Sequence, residues 1–314
     1  MIDFAPSFAA AFRKPGTETD AYAARIQEFT EAGRIARYLP AAGDRERIAL
    51  ILVDCQHDFV EPSGALYVPG SQEDMARLLR WFYANGHKIT TVYASLDTHI
   101  PFQIFYSSWW RQPATGVHPP PFTVITAGDV EQNAWTPLSE PEWSAYYVHQ
   151  LQQQAKKDLM IWPYHTIRGT LGHMLVAPLS EAIAWHSSAR ATQPVYVEKG
   201  LTPRTEFYGI FGAEVADPRA PESSLNTALI DTVMQHDRVY IAGEAKSHCV
   251  LETERQLVTY LADRPDMLQK LYLLKDCASS VQHPTIDFDA LAEAELARMQ
   301  QMGVHLVTSD ELIS

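Results

Sequence analysis

Four apolar runs in this sequence end on residues that can do chemistry. Ile48–Val53 runs into Asp54, and Pro194–Val197 runs into Glu198 and Lys199. Lys88–Ala94 runs into Ser95, Asp97 and His99, and Val239–Ala242 leads through Gly243-Glu-Ala-Lys-Ser-His248 into Cys249. The residues after Cys249, Val250-Leu-Glu-Thr-Glu-Arg-Gln-Leu257, make good helical sequence, so the thiol is expected at the start of a helix. A helix N-terminus lowers a thiol pKa and offers unused N–H groups, which together suit a nucleophile for acyl transfer. Lys199 would favour the thiolate, and Asp54 would accept the thiol proton and later return it to a departing amine.

Asp97 and His99 stand two apart at the end of an extended run, so their side chains point the same way and can share one ion. His165, in Trp162-Pro-Tyr-His165, is the strongest candidate for a third ligand; Cys55, His57 and His118 are weaker ones. Two imidazoles and a carboxylate suit Zn²⁺ first, then Fe²⁺ or Mn²⁺. The same ligand types serve mononuclear iron oxygenases, but the strand pattern argues against a jelly roll.

These residues need elements to bring them together. Strands are predicted near 48–53, 88–94, 194–198, 238–242, 270–274 and 304–307, with helices near 72–85, 173–186, 223–235, 249–263 and 287–302. That alternation predicts an α/β fold, a doubly wound six-stranded parallel sheet with helices on both faces. Ligands in such sheets bind beyond the carboxyl ends of the strands, where all four runs end. Gly86 and Gly303 follow two of the helices, where a left-handed cap is wanted.

Two regions fall outside the alternation. Residues 1–46 read as an N-terminal extension carrying a helix, capped by Thr19 or Asp20, with Tyr22, Ile26 and Phe29 at helical spacing and an end near Tyr38. It would pack on its own subunit or reach a neighbour. Residues 47–314 form the main domain, interrupted at about 100–160 by an insertion without a period. The insertion holds Trp109, Trp110, Trp135, Trp143 and Pro119-Pro120-Pro121; its tryptophans and Arg111 are candidates for selecting a substrate from above the site.

The 314 residues carry a net charge of -13, which excludes a nucleic-acid partner that needs a basic surface. Three cysteines, Cys55, Cys249 and Cys277, cannot build a disulfide framework, so a reducing, cytoplasmic setting is expected. Met1-Ile-Asp-Phe-Ala lacks the basic start of a signal peptide, and no apolar run reaches membrane-spanning length, so no membrane association is expected.

Taken in order, several of these motifs resemble the nicotinamidases and isochorismatase-like cysteine hydrolases. The resemblance runs through Val53-Asp54-Cys-Gln-His-Asp58-Phe59, Gly64-Ala-Leu66, Val68-Pro-Gly70 and Asp97-Thr-His99. It continues through Trp162-Pro-Tyr-His165, Glu198-Lys199-Gly200, Gly243 to Val250 and Asp276-Cys-Ala278. It implies a six-stranded parallel sheet and a triad of Asp54, Lys199 and Cys249. It also implies a metal held by Asp97, His99 and His165, substrate-flanking rings at Phe59 and Trp162, and a cis peptide at Glu244-Ala245. An oxyanion would be held by the N–H groups of Ala245 and Cys249. Because isochorismatases proper lack the metal, the nicotinamidase side is favoured, with a small-molecule aromatic amide as substrate and a homo-oligomeric assembly.

The sequence also departs from that pattern. Cys55 and His57 replace the usual Met and Asn, Phe105 stands where some relatives carry a fourth metal histidine, and the turn before the cysteine carries Glu244, Lys246 and His248. Another amide or a carbamoyl compound is therefore a second reading of the substrate, and a non-catalytic binding protein a third.

Overall fold

A strand covered on both faces needs no polar alternation, and Ile48–Val53 (β1) is apolar and buried along its whole length. Ile48, Leu50 and Leu52 enter one apolar layer, while Ala49, Ile51 and Val53 enter the other, as the two-residue period of a strand requires. The computed structural model describes residues 24–155 and 157–314 of the chain. Beside β1 lie β2 (Thr91–Asp97), β3 (Val195–Lys199), β4 (Arg238–Gly243), β5 (Leu271–Leu274) and β6 (His305–Val307). The order across the sheet is β6-β5-β4-β1-β2-β3, and every pairing is parallel.

Helices cover both faces. On one, α2 (Ser71–Asn85) and α3 (Ala177–Arg190) supply Leu78, Phe82, Leu179 and Ile183 to the layer under Ile48 and Leu50. On the other, α4 (Thr227–Val233), α5 (Leu251–Tyr260) and α6 (Phe288–Gln301) supply Ile230, Leu257 and Leu296 to the layer over Ile51. This is the doubly wound α/β architecture read from the sequence. The chain winds outward from β1 through β2 to β3, then returns to β4 on the other side of β1. The carboxyl ends of β1 and β4 therefore flank a topological switch point, where open parallel sheets form their crevice.

Several helix boundaries differ from the expectation, the starts of α3, α4 and α5 among them, and two have a clear local cause. Pro178 sits in the first turn of α3 and starts that helix at Ala177, leaving Leu171–His173 as a separate short turn. Ahead of α5 the chain makes one wide π-helical turn, Lys246–Val250, because the Ala245 carbonyl accepts N–H groups from both His248 and Val250. Cys249 thus lies in that turn rather than at the first residue of an α-helix.

Before the sheet, α1 (Ile26–Ala36) packs on α3 of the same chain, with Phe29 against Trp185 and Ala189, and Arg25 bonded to Glu181 at 2.9 Å. The expected capping residues Thr19 and Asp20, and Tyr22, lie outside the described residues.

The insertion, despite its aperiodic sequence, packs into the same apolar layer as Ile51 and Val53. It folds as a helix, Pro141–Gln150, and two small antiparallel pairs, Trp110–Arg111 with Thr136–Pro137 and Val124–Ile125 with Leu159–Met160. Its tryptophans hold it together. The indole N–H of Trp109 donates to Ser144 Oγ at 3.0 Å, that of Trp110 to the Ile104 carbonyl at 2.6 Å, and that of Trp143 to the Arg204 carbonyl at 2.7 Å. Arg111 is exposed. None of these residues lines the pocket described below, which corrects the expectation that they select the substrate. Among the described residues no helix is long and apolar enough to cross a membrane.

One residue of α5 breaks the apolar pattern. Glu254 is fully buried and neither carboxyl oxygen has a hydrogen-bond partner among the described residues. Burial holds its pKa up at about 8. The folded chain therefore keeps a proton that the unfolded chain releases near the ordinary value of 4.5. The stability contribution is whole below that value and is lost as pH rises through about 8. Glu254→Gln, neutral at every pH, is expected to raise unfolding stability by about 2–4 kcal/mol at neutral pH. Denaturant titrations at several pH values should show the gain shrinking as pH falls toward the ordinary carboxylate range.

Candidate active site

The ends of β1, β3 and β4 bring Asp54, Lys199 and Cys249 together, although nearly two hundred positions separate the first from the last. Lys199 Nζ lies 2.9 Å from Asp54 Oδ2 and 3.7 Å from Cys249 Sγ. It also donates to Asp97 Oδ1 at 2.8 Å and to the Phe207 carbonyl at 2.9 Å. Two oxygens and the sulfur thus receive the three N–H donors of the ammonium, and Asp54 Oδ2 faces it as an ion-pair partner. Asp54 adopts the left-handed region, φ 45°, and its Oδ1 accepts the Ser95 hydroxyl at 2.6 Å.

The close approach of β4 to β1 depends on Gly243. Its φ is 127°, and a Cβ there would lie 2.0 Å from the Val53 carbonyl oxygen. No side chain can be added without moving the strand ends that carry Asp54 and the cysteine turn. The Glu244-Ala245 peptide bond that follows is cis.

Burial decides most of the protonation states. It pushes the Cys249 thiol well above the usual range; nearby Lys199 opposes this, while Asp54 and Asp97 add to it. The resting group is therefore a neutral thiol hydrogen-bonded to Asp54, not the thiolate expected from the helix alone. Burial also raises Asp54, against the pull of Lys199. For Lys199 burial acts downward, but Asp54 and Asp97 outweigh it and hold the ammonium well above the usual lysine value. The site is thus set with a proton on sulfur, a carboxylate beside it and a permanent positive charge between two acids.

The other oxygen of Asp97 belongs to a second cluster. Asp97 Oδ2 lies 2.9 Å from His99 Nε2 and 3.5 Å from His165 Nε2, and all three residues are buried. The His165 Nδ1–H donates to the Pro163 carbonyl at 2.7 Å, which turns Nε2 toward the carboxylate. The donor atoms of the three residues lie within 4.8 Å of one another. Two imidazoles, one carboxylate and outer carbonyl partners fit a divalent ion such as Zn²⁺. Gln56 fixes the carboxylate from behind: its amide donates to the Asp97 carbonyl at 2.8 Å and accepts the Asp97 N–H at 2.7 Å. Asp58 fixes the histidine loop by accepting the Thr166 N–H at 2.7 Å. Phe105 packs against the His99 ring, 4.8 Å between centroids, and offers no ligand atom.

Between the two clusters lies a narrow pocket of about 30 Å³. Phe59, Leu66, Trp162, Ala245 and Val281 give it apolar walls, and Asp97, His99, His165 and Cys249 line it too. The Phe59 and His165 ring centroids are 5.5 Å apart, and those of Trp162 and His165 6.5 Å. The Ala245 N–H, next to the sulfur turn, has no acceptor among the described residues.

Glu206, Phe207, Tyr208 and His248 also line the pocket and were not singled out as site residues from the sequence. Glu206, Phe207 and Tyr208 come from the loop that follows β3. The signal available was positional: the loop starts directly after Lys199 at a carboxyl strand end. Ser95 was visible in the same way, two residues before Asp97 on the same side of β2.

No family model and no curated protein matches the sequence. Solved structures do. The structure of the yeast nicotinamidase Pnc1p aligns with a TM-score of 0.54 at 18% identity, over 83% of this chain and 99% of that one. The same yeast enzyme bound to the inhibitor nicotinaldehyde gives 0.54 at 16% identity with the same coverage. An Acinetobacter baumanii nicotinamidase/pyrazinamidase gives 0.52 at 19% identity, over 85% and 98%. With six parallel strands in this order and these alignments across most of its length, the chain has a nicotinamidase/isochorismatase-like fold.

Proposed function

We propose that the protein is a metal-containing cysteine amidohydrolase that converts nicotinamide or a similar aromatic carboxamide to the acid and ammonia. The observation that carries this is the convergence of a thiol, an ammonium and a carboxylate at the switch point, beside a buried two-histidine, one-carboxylate cluster in a ring-lined pocket. The nicotinamidases that share the fold support the choice of substrate class.

In this reading Asp54 takes the Cys249 proton as sulfur attacks the carboxamide carbon, and Lys199 offsets the charge that forms. The N–H groups of Ala245 and Cys249 hold the oxyanion. Asp54 passes its proton to the amide nitrogen as the C–N bond breaks, so ammonia departs and a thioester remains. Water, deprotonated by Asp54, adds to the thioester; collapse releases the acid and returns the proton to sulfur. A divalent ion held by Asp97, His99 and His165 would supply a Lewis acid for the ring nitrogen of the substrate. Phe59 and Trp162 would confine the ring.

The test is ammonia release from nicotinamide and a panel of aromatic, aliphatic and carbamoyl amides, with the protein supplied with Zn²⁺, Mn²⁺ or Fe²⁺. Turnover of nicotinamide or another aromatic carboxamide above the rest supports the reading; release only from aliphatic or carbamoyl compounds, or from none, overturns it.

The pH profile follows from Asp54. The carboxyl must be ionised to accept the thiol proton, so kcat/KM should fall as pH drops through its raised pKa, above the ordinary 3.8. The Ser95 hydroxyl stabilises the ionised form and lowers that pKa. Ser95→Ala should therefore move the acid limb to higher pH. An unmoved limb would assign it to another group.

A further inference from the structure

We propose that Glu206, together with Tyr208, is a specificity determinant, giving the pocket a polar wall that selects aromatic amides whose ring carries an added hydrogen-bond acceptor, such as a hydroxyl, over unsubstituted nicotinamide. The proposal rests on the amidase reading of the site for its substrate class. It adds a preference which that reading does not contain.

An apolar pocket for a plain ring has no need of a buried acid. Yet Glu206 is 4% exposed and lines the same cavity as Cys249 and the histidines. Its Oε1 accepts the Trp162 indole N–H at 2.6 Å, and the same N–H reaches the Tyr208 hydroxyl at 3.2 Å. Tyr208 also hydrogen-bonds the Glu206 carboxyl. The main chain beneath is fixed as well, since the Glu206 N–H donates to the Tyr147 hydroxyl at 3.2 Å. The carboxyl is thus held in place by donors from two pocket-lining residues.

Burial, with Glu214 nearby, raises Glu206 to about 8, so at neutral pH it keeps its own proton. Trp162 donates to both groups, and the carboxyl and the Tyr208 hydroxyl share one hydrogen bond, which uses one of their two O–H protons. The other O–H is then a donor in the pocket wall that wants an acceptor on the bound molecule. A ring with only carbon at that position covers the O–H without replacing the water it displaces. A hydroxyl or oxo group at that position restores the bond. Sites that contribute a buried hydrogen-bonding group discriminate strongly against analogues lacking its partner. His248, whose pKa burial lowers to about 3, adds a neutral ring beside Trp162 and Tyr208.

The test compares nicotinamide with each monohydroxylated isomer, in two readouts. Binding is measured by calorimetry on metal-loaded Cys249→Ala protein, and kcat/KM by ammonia release on protein with Cys249 in place. At least one isomer is expected to bind about tenfold or more tightly than nicotinamide. Glu206→Leu should erase that preference, read as the ratio of isomer to nicotinamide affinity, and Glu206→Gln, which keeps a donor, should restore most of it. Tyr208→Phe should weaken the preference by a smaller factor and gives a second route if Glu206→Leu folds poorly. Failure of every isomer to exceed nicotinamide, or a preference that survives Glu206→Leu, overturns the proposal. Absence of any turnover alongside a Glu206-dependent binding preference would instead count against the amidase reading alone.

Discussion

Cys249→Ala is expected to lower amide hydrolysis by about 10⁴-fold or more, the scale seen when the nucleophile of a covalent mechanism is removed. No neighbouring group can substitute for the sulfur. Cys55 and Cys277 are buried, and neither lines the pocket. The residual rate should come only from the oxyanion donors and from holding the substrate. The variant should fold and bind metal normally, because Cys249 Sγ makes only a long 3.7 Å contact to Lys199 and a hydrogen bond to Asp54. Circular dichroism, metal content and the ammonia assay together check this. A variant that keeps a tenth of the activity would remove Cys249 from the chemistry.

Lys199→Met should have a comparable effect on rate, for a different reason, and a large effect on stability as well. The ammonium lies between Asp54 and Asp97, at 2.9 and 2.8 Å, with its side chain about 2% exposed. Removing one partner of a buried ion pair leaves an uncompensated charge and costs about 3–5 kcal/mol. Here two carboxylates lose their partner together, so at least one should take up a proton at neutral pH. If that one is Asp54, the base is lost; if Asp97, the metal ligand weakens. Lys199→Met/Asp54→Asn should recover part of the stability and none of the activity. Equilibrium unfolding of the two single variants and the double variant measures the coupling directly.

The fold was legible because its strongest elements carry the plainest signals. Six consecutive apolar residues in β1, too few for a typical helix, fit a strand covered on both faces, and their run into Asp54 marks its carboxyl end. Pro178 carries a legible start signal for α3, which begins at Ala177 rather than near residue 173. The site was harder to read wherever the defining contact is long-range. Nothing in the sequence says that Asp97 divides its two oxygens between Lys199 and the histidines. The neutral thiol follows from burial among two acids, which the local helix signal could not report. Glu206 and Tyr208 lie in an aperiodic loop and gain meaning only once Trp162 is seen beside them. The insertion's tryptophans misled in the opposite direction. Their residue type fits a ligand pocket, yet their indole N–H groups are used to hold the insertion to itself and to the main chain at Arg204.

Sulfur 249 must become acylated in each turnover, and acid quenching followed by peptide mass spectrometry reads that bond. With nicotinamide as substrate, the peptide containing Cys249 should gain the mass of the pyridine acyl group. The label should discharge on treatment with hydroxylamine and be missing from Cys249→Ala protein. Steady ammonia production with that peptide unmodified at every quench time, and little affected by Cys249→Ala, would contradict it.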